Sequence, residues 1–436
     1  MPVYYLKAIR KISPLLIHIG QYPLVLSWLR PWTFSLETDM LPYGTQIKVS
    51  TQFQGEGSSH ELAALLLSEC IQYSLYTLKK PIYALYLDAK SAFDVVQREL
   101  LIKNLFHIQG ASQSLIYIDR RLAGRETVVE WDGQLMGPID DEQGLEQGGV
   151  SSSDFYKIFA QEQLLLAQNS KLGIKLPTET ISAIGEADDT VLLANSIDDL
   201  YLLLELTNSF SLKYRVDLCA EKTKLQIFKP KGRFDWTNGN LHNPIVINGK
   251  PIPFSATAEH VGIVRSVDGN GPALAARFTA HRKALSSILN IGISNQHRAN
   301  PASSLKIEEL YGTPVLLSGL AALVLKKAEL IMLDKHYSSV LGGLLKLHDK
   351  TPRCVIHFLG GSLPASALLH IRQLCLFAMI CRLRGNILHL YASNYFSSRP
   401  LKKSSWFHQI NLLCELYLLP DPLKLLTDPL EKYAFK

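Results

Sequence analysis

Six cysteines in 436 residues, Cys70, Cys219, Cys354, Cys375, Cys381 and Cys414, form no CxxC pair and no cysteine-histidine spacing of the kind a zinc module needs. A reduced, intracellular chain is the expectation. Long hydrophobic runs are missing too. The N-terminal "KISPLLIHIGQYPLVLSWLR" is broken by Pro14 and Pro23, diluted by His18 and Gln21, and followed by no small-residue cleavage site. Nowhere else do about 18 uncharged apolar residues run together, so neither a signal peptide nor a membrane span is expected. Charge of one sign is also scarce. Against 45 Lys and Arg stand 39 Asp and Glu, a formal net charge of +6, which leans towards a polyanionic partner and away from a basic one. What the chain does have is apolar content, 47%, enough over this length to bury the cores of two or three domains or subdomains.

Along the chain, "SSHELAALLLSECIQYSLYTL", residues 58–78, carries apolar residues at helical spacing behind cap-type serines and predicts one amphipathic helix. "PIYALYLDAKSAFD" reads as a buried strand ending at Asp88. "AFDVVQRELLIKNLFHI" is helical in pattern, "ETVVEWDG" a strand and turn, and "SSSDFYKIFAQEQLLLAQ" a serine-capped helix. "AIGEADDTVLLANS" predicts strand, tight turn, strand, because Asp and Asn favour turns while Thr190 to Leu193 favour a strand. A helix over 197–215, a strand in "EKTKLQIFK" and an Asn248-Gly249 hairpin in "IVINGKPI" follow. The class is α+β, an antiparallel sheet covered by helices. From Pro272 the pattern turns helical: "PALAARFTAHRKALSSILNI" sets Leu274, Phe278, Leu285 and Leu289 on one face and Arg277, Arg282 and Lys283 elsewhere, where they could meet a phosphate backbone. Residues 303–436 are leucine-rich helical segments broken at "HDKTPRC", "LGGSLPAS" and "SSRPLKKSS".

Two adjacent aspartates, Asp188 and Asp189, in a tight turn need a cation or a basic partner if they are not fully solvated. Nucleotidyl transfer uses two magnesium ions about 3.5 to 4 Å apart, held by carboxylates from separate strands. Asp88 at one strand end and Asp188-Asp189 in one turn would supply such a set. Asp in turns is common, so the residues alone leave a plain structural role open.

Three stretches in order resemble the palm motifs of reverse transcriptases, most closely those of non-LTR (LINE-type) retrotransposons: "LYLDAKSAFD", "GLEQGGVSSSDFYKIF" and "EADDTVLLA". "EKTKLQIF" is similar to the following lysine-bearing motif, "HVGIVRS" to the hairpin joining palm to thumb, and "STQFQGEGSSHELAALLL" to the element before the first motif. The resemblance covers about residues 50 to 300, and "TPRCVIHFLGGSLPASALLHIRQL" resembles the helical region beyond the thumb. It implies a right-hand polymerase with partial fingers at 1–80, a palm at 81–256, a palm-thumb hairpin and helical thumb at 257–302, and a helical C-terminal domain at 303–436. It further implies an RNA-directed DNA polymerase extending a DNA primer on an RNA template with dNTPs. Asp88, Asp188 and Asp189 would hold two magnesium ions, with manganese as a substitute. Phe93 would crowd the sugar 2′ position, Gln147 and Gly148 would face the incoming nucleotide, and Lys222 or Lys224 would assist pyrophosphate departure. Asp94 would be structural.

The departures point to an alternative. Glu186 stands where the family has an aromatic, Glu146 where many members have arginine, and Ser153 where proline often closes the second motif. "IRKISPLL" resembles a fingers segment with only nine residues before Arg10, as in an N-terminally truncated element, and no endonuclease, cysteine-histidine knuckle or ribonuclease H pattern is found. A catalytically silent retrotransposon remnant, at most nucleic-acid-binding or structural, is therefore the second expectation. A metal-dependent phosphohydrolase built on Asp188 and Asp189 lacks the histidine-rich constellation that would accompany it.

Overall fold

The computed structural model describes residues 7–10, 59–110, 112–149, 151–186, 188–230, 244–288, 300–398 and 402–430. The fingers-like segment after Arg10 and the stretch "STQFQGEGS", residues 50–58, lie outside the described residues. In chain order the elements begin with β1 (Lys7–Arg10), α1 (His60–Tyr73), β2 (Ile82–Leu87), α2 (Arg98–Gln109), α3 (Gln113–Leu122), β3 (Arg125–Trp131) and β4 (Gln134–Asp141). Next come α4 (Ser152–Asn169), β5 (Ile174–Lys175), β6 (Thr180–Ile181), β7 (Ala183–Glu186), β8 (Asp189–Ala194), α5 (Ile197–Tyr214) and β9 (Lys224–Phe228). Two hairpins, β10 (Val246–Ile247) with β11 (Lys250–Pro251) and β12 (Thr257–His260) with β13 (Ile263–Ser266), lead into α6 (Gly271–Ile288). The rest is helical: α7 (Pro301–Ile307), α8 (Thr313–Leu317), α9 (Lys327–Leu344), α10 (Arg353–Gly360), α11 (Ala365–Arg382), α12 (Ile387–Ser397), α13 (Trp406–Leu416) and α14 (Pro422–Thr427). The α+β expectation holds, and its sheet is antiparallel.

The chain divides into two compact units, each discontinuous in sequence. The larger comprises residues 50–88, 166–205 and 219–436. Its sheet runs in the order β7-β8-β2-β9, all antiparallel. β2 is central and all six of its residues, "IYALYL", are buried, which is why the segment reads as an unbroken apolar run. On one side of the sheet, Ile82, Ala84, Tyr86, Val191 and Leu193 join a core that extends from Leu62 to Leu426.

α1 departs from the amphipathic expectation: Leu62 to Leu67 and Cys70 are all fully buried. A helix covered on every side must be apolar all round. It packs on β7 and on the short 3₁₀ turn Leu320–Ala322, and Tyr73 meets Tyr391 of α12 edge to face at 6.3 Å. Its last turn, Ser74–Leu78, is π-helical.

Glu69 of α1 is fully buried and accepts hydrogen bonds from Ser405 Oγ and from the Trp406 N–H, each 2.7 Å. The carboxylate therefore meets the N-terminus of α13, where unsatisfied amides favour negative charge. Burial nevertheless pushes its pKa up to about 7, against the lowering effect of the bonds from Ser405, Trp406 and Tyr391. Trp406 Nε1 donates to the Ala321 carbonyl at 2.7 Å, closing the same joint.

Among the described residues, one helix, α11, is long and apolar enough to cross a membrane by length and composition. Leu369, Leu376, Phe377, Ile380 and Cys381 from it belong to the core instead.

The smaller unit comprises residues 1–49, 89–165 and 206–218. Its sheet runs β1-β3-β4, again antiparallel, with the turn Asp132-Gly133 between β3 and β4. Strand β4 follows the expected turn but is not foreseeable from sequence, since "QLMGPIDD" carries Gly-Pro in its middle. Phe159, Phe210 and Tyr214 form its aromatic centre, with ring centroids 4.5 to 6.4 Å apart. α2 starts at Arg98, later than the helical pattern suggests, because residues 90–95 are spent on a turn with Ser91 at φ 47°.

Candidate active site

The β7–β8 hairpin forms as expected: Glu186 pairs with Asp189, and Asp188 lies in the turn between them. β8 also pairs with β2, and the last register pair is Leu87 with Thr190. One residue further, Asp88 and Asp189 stand opposite each other at the end of the sheet. Asp88 is half-buried, while Asp188 and Asp189 are exposed. The Asp88 carbonyl accepts from the Cys219 N–H at 2.8 Å, which extends the β2 edge towards the segment before β9.

Two interactions hold these carboxylates. Lys222 Nζ stands 3.3 Å from Asp88 Oδ2, an ion pair without hydrogen-bond alignment, so this buried oxygen has no hydrogen-bond partner. Asp189 Oδ2 accepts from the Val261 N–H at 3.2 Å. Although Asp189 is exposed as a residue, its carboxyl is partly desolvated. That desolvation, then the charge of Asp188, and less strongly those of Asp88 and Glu259, push its pKa up against the Val261 bond.

Lys222 and Lys224 are now distinguished. Lys224 opens β9 opposite Tyr86, whereas Lys222 lies in the preceding turn and reaches Asp88. Val261 and Glu259 were not among the sequence candidates. Val261 and Gly262 form the β12–β13 turn with φ 48° and 73°, a left-handed pair in which a β-branched residue is strained. The Val261 side chain is buried in the core, which offsets that strain. Arg277 of α6, expected to offer charge outward, donates through Nη2 to the Gly262 carbonyl, while Arg282 and Lys283 are exposed.

The remaining candidates belong to the smaller unit. Phe93 is half-buried and stacks on Tyr156 with centroids 5.0 Å apart. The Gln147-Gly148 loop is tied to the same turn: Leu145 N–H donates to the Phe93 carbonyl at 2.7 Å, and Gln147 Nε2 to Asp94 Oδ1 at 3.2 Å. Gly148 has φ 84° and open space where a Cβ would stand, so its backbone is accessible. Gly144, at φ 86°, has no such room; a Cβ would lie 2.8 Å from the Asp94 carbonyl oxygen. Gly144→Ala is expected to cost about 2 kcal/mol of stability, seen as a lower urea midpoint, by prising this loop from the Phe93 turn. Glu146 lies 3.9 Å from Arg125, so its charge has a basic neighbour that the sequence motif did not show. Ser153 is exposed in the first turn of α4.

Three carboxylates at the ends of neighbouring strands suit magnesium in kind. Their arrangement does not: among the described residues, no group of three or more His, Cys, Asp or Glu side chains is gathered closely enough to hold a metal ion. The expected set of Asp88, Asp188 and Asp189 is thus brought to one sheet end without being closed into a metal site. Asp88 is paired with Lys222, and Asp189 accepts from the Val261 N–H.

Residues 47–247 match the model of the family described as reverse transcriptase (RNA-dependent DNA polymerase). Among solved structures, the chain is similar to apo telomerase from Candida tropicalis truncated from its C-terminal domain, at 15% identity and TM-score 0.38 over 59% of this chain and 48% of that one. It is also similar to apo telomerase from Candida tropicalis, at 11% identity and TM-score 0.40, over 92% of this chain and 68% of that one. A third, telomerase from Candida tropicalis in complex with the TWJ fragment of telomeric RNA, gives 10% identity and TM-score 0.39, covering 93% and 63%. The chain thus spans about half to two thirds of the length of these structures, and at such scores the likeness adds nothing to the family match. No curated protein matches. What these findings support is a reverse transcriptase domain over residues 47–247, the stretch that contains all three aspartates.

Proposed function

We propose that the chain is an RNA-directed DNA polymerase of the non-LTR (LINE-type) retrotransposon kind, adding dNTPs to the 3′-hydroxyl of a primer annealed to RNA. The observation that supports it is the meeting of Asp88 with the Asp188-Asp189 hairpin on adjacent antiparallel strands, inside the segment that matches the family. In this reading Asp88, Asp188 and Asp189 are the carboxylates at the reacting centre, whose negative charge serves to attract the divalent ions that nucleotidyl transfer needs. Phe93, its ring backed by Tyr156, crowds the sugar 2′ position, and the Gln147-Gly148 loop offers backbone to the incoming nucleotide. Lys222 is the basic group beside the carboxylates. Two magnesium ions are the cofactor this chemistry calls for, and the carboxylates as arranged do not gather them.

That last observation favours a second reading, a silent remnant that retains the palm and binds nucleic acid or nothing. Primer extension separates the two. Purified protein with an RNA template, a DNA primer, dNTPs and magnesium or manganese is expected to yield template-length DNA. No extension by folded protein that still binds primer-template would leave the silent reading standing.

A further inference from the structure

The β3–β4 hairpin of the smaller unit ends its sheet in an open edge. Among the described residues β4 pairs with β3 alone, and every residue from Gln134 to Asp140 is exposed. Register fixes which side chains lie together: Thr127 pairs with Ile139, Val129 with Met136, and Arg125 with Asp141 at the end of the hairpin. Residues 125, 127 and 129 alternate onto one side of β3, so Met136, Ile139 and Asp141 fall on that side of β4. Met136 and Ile139 are each more than half exposed. Apolar side chains grouped on an open sheet edge mark an interaction surface.

Charge decides the kind of partner. Beside this strip a cavity of about 410 Å³ is lined by five carboxylates, Glu99, Asp119, Asp140, Asp141 and Glu142, and two guanidiniums, Arg98 and Arg125. Both guanidiniums face Asp141, at 3.1 and 3.9 Å, and Arg98 is further spent on the main-chain carbonyls of Asp141, Gln143 and Gly144. Glu99, Asp119, Asp140 and Glu142 have no basic partner.

We propose that the β4 edge is the docking surface for a basic, extended segment of a partner protein, whose apolar residues cover Met136 and Ile139 and whose lysine or arginine enters the carboxylate-lined cavity. Nucleic acid is the wrong partner, since its phosphates would meet the unneutralised carboxylates. A second copy of this chain is disfavoured as well: edge against edge would set the same carboxylates against one another. From Met136 to Asp141 the strand runs about 15 Å, so an extended segment of about five or six residues reaches from the apolar pair to the cavity. Pro138 offers no N–H to a visiting strand, so side-chain contacts rather than an unbroken ladder carry the affinity. Docking here does not depend on polymerase activity.

The probe is a fluorescein-labelled octapeptide of alternating lysine and valine, titrated with the full chain and followed by fluorescence anisotropy. It is expected to bind, and its glutamate-valine counterpart is not. Ile139→Ser and Asp140→Asn are each expected to weaken binding about 3-fold or more, and Glu142→Lys about 10-fold. Asp140 and Glu142 are exposed and unpaired, so their replacement is tolerated by the fold, and melting temperatures check this for every variant. Asp198→Asn, at an exposed carboxylate on α5 in the larger unit, should change nothing. Equal weakening there would reduce the binding to diffuse attraction between opposite charges and overturn the inference. So would no binding of the lysine-valine peptide, or equal binding by the wild type and the three hairpin variants. Self-association of the chain in sedimentation that Ile139→Ser abolishes would overturn it too, by giving the edge to a second copy.

Discussion

Asp188→Asn is expected to lower RNA-templated primer extension by about 1,000-fold or more while leaving the fold intact. Position 188 is exposed at the turn of the β7–β8 hairpin, outside the register pairs on either side, and asparagine is as acceptable in a turn as aspartate. No hydrogen bond of the sheet depends on its charge. The substitution thus removes one negative charge from beside Asp88 and Asp189 and little else. Asp189→Asn should be milder, because an amide oxygen can still accept from the Val261 N–H. Initial rates on an RNA template, with circular dichroism melts alongside, check both. Equal rates for wild type and Asp188→Asn would remove the aspartates from the chemistry.

The second large effect concerns stability. Glu69 has a pKa raised from 4.5 to about 7 in the folded chain, so folding disfavours its charged form. With a raised carboxyl, the contribution is fully present below pH 4.5 and is lost as pH rises through 7; above that it stays flat. The expected loss from this residue alone is about 3 kcal/mol. Glu69→Gln keeps the shape and one acceptor for Trp406 but cannot ionise. Its urea midpoint should therefore fall less than the wild-type midpoint between about pH 5 and pH 8, and the two curves should separate most above about pH 7. Parallel curves would mean that the bonds from the Trp406 N–H and the Ser405 hydroxyl fully offset the cost of burying the carboxylate.

Much of this was legible in the sequence, for identifiable reasons. Strand β2 shows itself because both its faces are covered, which forces an unbroken apolar run; the Asn248-Gly249 hairpin shows itself because both residues adopt positive φ, 50° and 74°. The Asp188 turn follows from turn chemistry set between two strand-forming stretches. What was hidden depends on partners distant in sequence. Nothing in "ELAALLLSEC" tells an amphipathic helix from one buried all round, because residues that cover it beyond the sheet, Leu320–Ala322 and Tyr391, arrive more than 240 positions later. Lys222 and Lys224 could not be separated by spacing, since one falls in the turn before β9 and the other in the strand. Glu146 reads as an added charge until Arg125, 21 positions earlier, is seen beside it.

The joint between Glu69 and Trp406 bears on how far the chain can be shortened. Residues 47–247 contain the whole family match, yet α1 inside that stretch packs against α12, and its Glu69 accepts from the N-terminus of α13, both more than 130 positions beyond its end. A premature stop anywhere before residue 405 would strand a buried carboxyl and bare the leucine-rich back of the sheet. Truncation of the chain before residue 405 is therefore expected to end in aggregation and proteolysis, so the leucine-rich C-terminal helices and the sheet that carries the aspartates stand or fall together.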